Sequence, residues 1–173
     1  MPHEHTHLAG EARRSHIIQI GLSIFFILVW ILDSFVFRLT SYLWLLPLYI
    51  VMIIGFSNLT YILSFLLSII PGLFIIIAGI YLMSRSHIVF EPTEPKVVDY
   101  GLYARIRHPM YLGSILLYLG FWITTLSLLT LIPLLTVIIG YNYLATGEEH
   151  LLEAKFGNDY LDYKKRVPKW IPR

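Results

Sequence analysis

Apolar residues run almost unbroken through four long stretches of this chain, and the polar residues gather between and after them. The pattern predicts helices at about 16–37, 42–57, 61–84, 110–126 and 128–146. Taken as one helix, residues 42–84 would run about 65 Å against a hydrocarbon core of about 30 Å. That run must fold back, and Ser57-Asn58-Leu59-Thr60 is the polar interruption available. The last two helices turn around Thr124-Thr125-Leu126-Ser127 and are short for full spans, so they predict a helical hairpin with its two arms packed together. Beyond it, 148–156 has helical apolar spacing at Leu152 and Phe156, and Gly157 is placed to end it. Asn158 can cap a further helix with Tyr160, Tyr163 and Val167 on one face and Asp162 four residues before Arg166; Pro168 stops it. The fold class expected is an all-α integral membrane protein of about five transmembrane helices, with a C-terminal helical hairpin and a cytoplasmic amphipathic helical tail. Residues 1–15 are expected as a disordered tail, 16–173 as one membrane domain, and 95–173 as the part that carries polar chemistry.

Composition agrees with a bilayer. Of the 173 residues 57% are hydrophobic and only 14% charged, with mean hydropathy +0.68. Several apolar stretches follow the first, which therefore reads as a membrane helix and not as a cleaved leader. The absence of cysteine removes disulfides, thiolate metal sites and cysteine nucleophiles. The net charge of +2 matters less than where the basic residues fall. Five spans place eleven of the 13 Lys and Arg on one side, leaving Arg13 and Arg14 on the other. The 85–109 loop and the tail are then cytoplasmic and the N-terminus external. Asp33, the one acid inside a span, would lie near the cytoplasmic end, one turn from Arg38, where pairing or snorkelling accounts for it. His3, His5 and His7 alternate near the N-terminus and could hold a metal, but solvated tails of this kind are common and no metal site is expected.

Polar chemistry concentrates in two places. In RHPMYLG, residues 107–113, Pro109 should open a helix, with His108 held extended before it. The first amides, of Met110, Tyr111 and Leu112, would then point toward Arg107 and His108, a cradle for an anion. The second place is Glu148-Glu149, directly after the fifth helix, where adjacent acids need a cationic partner such as Arg107, His108 or a ligand. Around them Lys164, Lys165, Arg166, Lys169 and Trp170 suit an anionic membrane surface.

GLYARIRHPMYLG followed by EEHLLEAKFGNDYLDYKKRVPKWIP resembles the C-terminal half of isoprenylcysteine carboxyl methyltransferases and of the wider group that includes phospholipid N-methyltransferases. The resemblance covers about residues 95–173 and lies in the order of its parts: G-x-Y, R-H-P-x-Y-x-G, a hydrophobic hairpin, E-E, F-G-x-x-Y-x-x-Y and V-P-x-x-I-P. It implies transfer of a methyl group from S-adenosylmethionine to a lipid-like substrate at the cytoplasmic membrane face. It further implies cofactor contacts at Pro95, Lys96, Val97, Val98, Tyr103, His108, Pro109, Met110, Tyr111 and Glu148. Arg107 and Glu149 are the candidate catalytic residues. The partners expected are a lipid or prenylated small molecule and the membrane, with no nucleic acid. The resemblance has one departure: an arginine four residues before the first Glu looks to serve the substrate carboxylate in the carboxyl methyltransferases, and that position here is Leu144. A carboxylate acceptor needs no base, whereas a phospholipid amine must lose a proton, for which Glu149 is the candidate. Two other readings stay open: an NADPH-dependent membrane reductase, whose family shares R-H-P and the closing Y-x-x-Y and V-P, and a non-enzymatic lipid-binding protein.

Overall fold

The computed structural model describes residues 2–33, 57–87 and 96–171. Its helices are α1 (Pro2–Ile31), α2 (Ser57–His87), α3 (Pro109–Thr125), α4 (Leu131–Phe156) and α5 (Asn158–Arg166), with a 3-10 turn at Gly101–Ala104. No strand occurs among the described residues, in keeping with the all-α expectation. Two segments, Arg14–Ile31 and Leu67–Ser86, are long and apolar enough to cross a membrane, and α3 is a shorter apolar helix. The expected 42–57 helix falls almost wholly outside the described residues, as does Arg38.

Several boundaries differ from expectation. The helix expected from residue 16 begins at Pro2, so the histidine-bearing segment expected to be disordered is helical. The fifth apolar helix and the polar segment after it are one helix, α4, running through Gly147. Gly147 has no atom near enough to punish or reward a side chain. Between α4 and α5 the cap is Gly157 and not Asn158: Gly157 has φ +55°, donates its amide to Glu153 O and accepts from the amide of Leu161.

The chain forms two compact units, one from Met1–Ser68 with Thr125–Leu144, the other from Ile69–Thr124 with Ala145–Arg173. In the first, Leu22 packs against the open face of Gly140. At the end of α1 the indole of Trp30 donates to Thr125 Oγ1 (3.2 Å), and Ser127 Oγ donates to Asp33. Ser127 Oγ in turn accepts from the amide of Thr130 (3.1 Å) and from its hydroxyl (2.6 Å). Asp33 is completely buried. Ser127 gives its carboxylate a hydroxyl donor; the pairing with Arg38, expected as the alternative to snorkelling, lies outside the described residues.

In the second unit, α2 and α3 meet along glycines. A Cβ on Gly79 would lie 2.7 Å from the carbonyl oxygen of Gly113, and one on Gly120 would lie 2.8 Å from that of Gly72. The two backbones touch where no side chain intervenes, a close approach that dispersion favours in an apolar solvent. A second cluster joins Tyr160, Tyr163 and Val167 of α5 and its end to Val97, Leu152 and Phe156. This packing fixes α5 beside the loop before α3 and the last turns of α4.

Candidate active site

The site lies wholly in the second unit. Proline chemistry sets its first piece: α3 begins at Pro109, and His108 O accepts the amide of Leu112 at 3.0 Å. Leu112 therefore does not offer its N–H to a ligand, contrary to the cradle expected from the sequence. The backbone amide of Arg107 donates to Pro168 O (3.0 Å), so the closing V-P element pins the R-H-P start directly. The Tyr163 hydroxyl donates to Tyr103 O (2.8 Å), and α5 thereby holds the 3-10 turn as well.

Glu149 is the hub. Its Oε1 meets His108 Nε2 at 3.0 Å and Arg107 Nη2 at 3.4 Å, while its Oε2 meets Lys164 Nζ at 3.2 Å. Lys164 also pairs with Glu153. Glu149 and His108 are 4% and 5% exposed, so these charges interact with little solvent screening. Burial pushes the Glu149 carboxyl up, yet the hydrogen bond from His108, the Arg107 charge and the bond from Lys164 outweigh it and bring it down to about 2. Burial likewise opposes charge on His108, but the bonds and charges of Glu148 and Glu149 raise its pKa above the ordinary imidazole value. The ring stacks on Tyr111 (5.7 Å, 5°) and tilts against Trp170 (5.9 Å, 43°). Glu148 Oε2 lies 3.6 Å from His108 Nδ1 and is half-exposed.

A cavity of about 220 Å³ opens beside this cluster, lined by Tyr103, Arg107, His108, Met110, Tyr111 and Glu148 with Lys96, Val97 and Val98. Leu152, Lys155, Phe156, Tyr160 and Tyr163 complete it. It is below the 300–1,000 Å³ of most ligand pockets, and its margin at Lys96 adjoins 88–95, outside the described residues. Burial, then the charge of Glu148, raises the Tyr103 phenol to about 12, so it stays a donor. The Arg107 side chain is only 10% exposed, and its Nε and Nη1 have no hydrogen-bond partner among the described residues.

Of the expected contacts, Lys96, Val97, Val98, Tyr103, His108, Met110, Tyr111 and Glu148 line the cavity together with Arg107. Pro95 lies outside the described residues, Pro109 is buried at the helix start, and Glu149 sits behind the wall. The expected Asp162–Arg166 pair does not form: Asp162 Oδ1 meets Lys165 Nζ at 2.8 Å and Arg166 reaches Asp99 at 3.7 Å. Sequence reasoning placed Tyr160 and Tyr163 on one face without assigning them to a site, and Lys164 only at a membrane surface. Helical spacing does put Lys164 on the turn after Tyr160, the one signal that it faces inward.

The described residues are all-helical, include two segments long and apolar enough to cross a membrane, and enclose a polar, charge-lined cavity. The family model of phospholipid methyltransferases matches residues 59–159, more than half of the chain, and the chain belongs to that family. It is 35% identical over 92 residues to the protein-S-isoprenylcysteine O-methyltransferase of Schizosaccharomyces pombe, covering 51% of this chain and 39% of that one. With methanethiol S-methyltransferase 2 of Bradyrhizobium diazoefficiens it shares 33% over 97 residues, covering 53% and 36%. With the human protein-S-isoprenylcysteine O-methyltransferase it shares 36% over 86 residues, covering 44% and 27%. The matched region thus spans less than half the length of each of these relatives.

Proposed function

We propose that this chain is an S-adenosylmethionine-dependent membrane methyltransferase acting on a lipid-like acceptor at the cytoplasmic face, of the isoprenylcysteine carboxyl O-methyltransferase type. The observation that carries the reading is Arg107: a buried guanidinium on the cavity wall with two nitrogens lacking partners. Buried donors are almost always satisfied, so this pair calls for an anionic group in the cavity. The cofactor's carboxylate is such a group. Arg107 and His108 would hold it, Glu148 would take its ammonium or ribose hydroxyls, and Tyr103 and Tyr111 offer aromatic surface. When bound, the cofactor supplies a methyl group on a sulfonium centre, open to in-line displacement. The chain's own part is to orient the two reactants and keep water out.

The geometry also bears on the acceptor. Glu149, the base expected for an amine, is saturated by three cations and held at about 2, which makes it a poor proton acceptor. An acceptor that arrives already ionised, as a carboxylate does, fits better. A second reading, methylation of a thiol, draws on the methanethiol relative and on Leu144, which is buried and brings no cation for a carboxylate.

The test uses the detergent-purified full chain with labelled S-adenosylmethionine. Binding should be measurable, with label passing to a farnesylated cysteine carboxylate or to a thiol and not to a phospholipid amine. Absence of cofactor binding would overturn the enzyme reading; transfer to the amine would overturn the assignment of the acceptor.

A further inference from the structure

A guanidinium beside a carboxylate ordinarily pairs with it through two nitrogens and two oxygens. Arg107 does not. One nitrogen, Nη2, meets Glu149, at 3.4 Å and on Oε1 only, an oxygen already shared with His108 Nε2. The second oxygen, Oε2, is taken by Lys164. Lys164 comes from a different element, α5, whose position is set by the turn at Gly157 and by the packing of Tyr160 and Tyr163. The remaining guanidinium nitrogens that are buried, Nε and Nη1, are the ones without a partner, and the residue that carries them lines the cavity.

We propose that Lys164 is a positioning residue: by occupying Glu149 Oε2 it prevents Arg107 from closing onto Glu149 as a bidentate pair, and so keeps two buried guanidinium N–H groups unpaired in the cavity wall, where a turn of the side chain presents them to an anionic ligand. Glu149 is then the fixed partner that both cations share, and Glu153 is a secondary anchor for Lys164. The proposal rests on the cofactor reading for the ligand's identity but not for the arrangement itself. It separates from an ordinary ion-pair role by sign. A lysine that merely ties α5 to α4 stabilises the chain, and its loss weakens folding and binding together. A lysine that blocks a better ion pair does the opposite for folding, because its loss lets Arg107 satisfy itself internally.

The experiment compares full-length wild type, Lys164→Met, Lys164→Arg and Glu153→Gln in detergent. Calorimetry with S-adenosylmethionine gives affinity, thermal unfolding without ligand gives stability, and the Arg107 Nε–H resonance in ligand-free ¹⁵N-labelled protein reports its hydrogen bonding. Lys164→Met should weaken binding by about tenfold or more at unchanged or higher stability. Its Arg107 Nε–H should become hydrogen-bonded and protected from exchange. Lys164→Arg should restore affinity, and Glu153→Gln should leave it within about twofold, because Glu149 keeps its lysine. Equal losses in Lys164→Met and Glu153→Gln, an unfolded Lys164→Met, or an Arg107 resonance identical to wild type would each overturn the proposal. Failure of the wild type to bind S-adenosylmethionine would overturn the cofactor reading alone, and the Arg107 resonance would still decide the role of Lys164.

Discussion

His108 is held between Tyr111 and Trp170 with both ring nitrogens toward acids, Nε2 to Glu149 and Nδ1 to Glu148. The fold stabilises its charged form, so its contribution is complete below the ordinary value of 6.5 and is lost as pH rises through the raised one. Glu149 is the reverse case: its contribution is complete above its ordinary 4.5 and is lost as pH falls toward about 2. Cofactor affinity should therefore be flat across mildly acidic pH and fall on the alkaline side as His108 discharges. Glu149→Gln should lower the His108 pKa, read by imidazole NMR, because burial then opposes the charge with less compensation. The same change leaves Arg107 and Lys164 without their shared partner and should cost about 3 kcal/mol of stability by denaturant titration. His108→Ala and Glu148→Gln should each weaken S-adenosylmethionine binding by roughly 10- to 150-fold in calorimetry. The R-H-P and E-E pairs were legible as a candidate site because charge beside long apolar runs is costly and stands out. Lys164 was not, since it stands in a run with Lys165 and Arg166 and only its place one turn after Tyr160 sets it apart.

Among the elements, α2 and α3 depend on glycine. Gly79→Leu would drive a side chain into the backbone of Gly113, and Gly113→Leu would do the same to Gly79 and Met83. Each should destabilise by about 3 kcal/mol or more, since carbonyl groups cannot step aside as side chains do. Gly147→Ala is the contrasting change: that position has nothing within 4 Å, and alanine should stabilise α4 by about 0.5–1 kcal/mol. Thermal unfolding in one detergent compares all three. The glycines are visible in the sequence, but Gly79 and Gly147 look alike there. What separates them is the facing helix, and that is a matter of pairing between residues more than thirty positions apart.

On the scale of the molecule, the expected topology rests on where the basic residues fall: five spans put Arg13 and Arg14 on one side and the other eleven Lys and Arg, those of the 85–109 loop and the tail among them, on the other. A reporter fused before Met1 should then read external and one fused after Arg173 cytoplasmic; both ends on the same side would overturn the five-span arrangement.

The order of apolar and polar segments was enough to determine that the chain is helical and suited to a bilayer, because segment length and hydropathy are local quantities summed along the chain. It was also enough to place the start of α3 at Pro109, since proline acts on its own backbone and that of its neighbour. The run from the fifth apolar segment into the polar one gave no sign that both are one helix, because a change of solvent leaves helical geometry unaltered. Tertiary structure decided which cation meets which oxygen of Glu149, which glycines touch, and that Asp33 is answered by Ser127. Each of those outcomes depends on distances of a few ångströms between side chains far apart in sequence, and no local propensity encodes them.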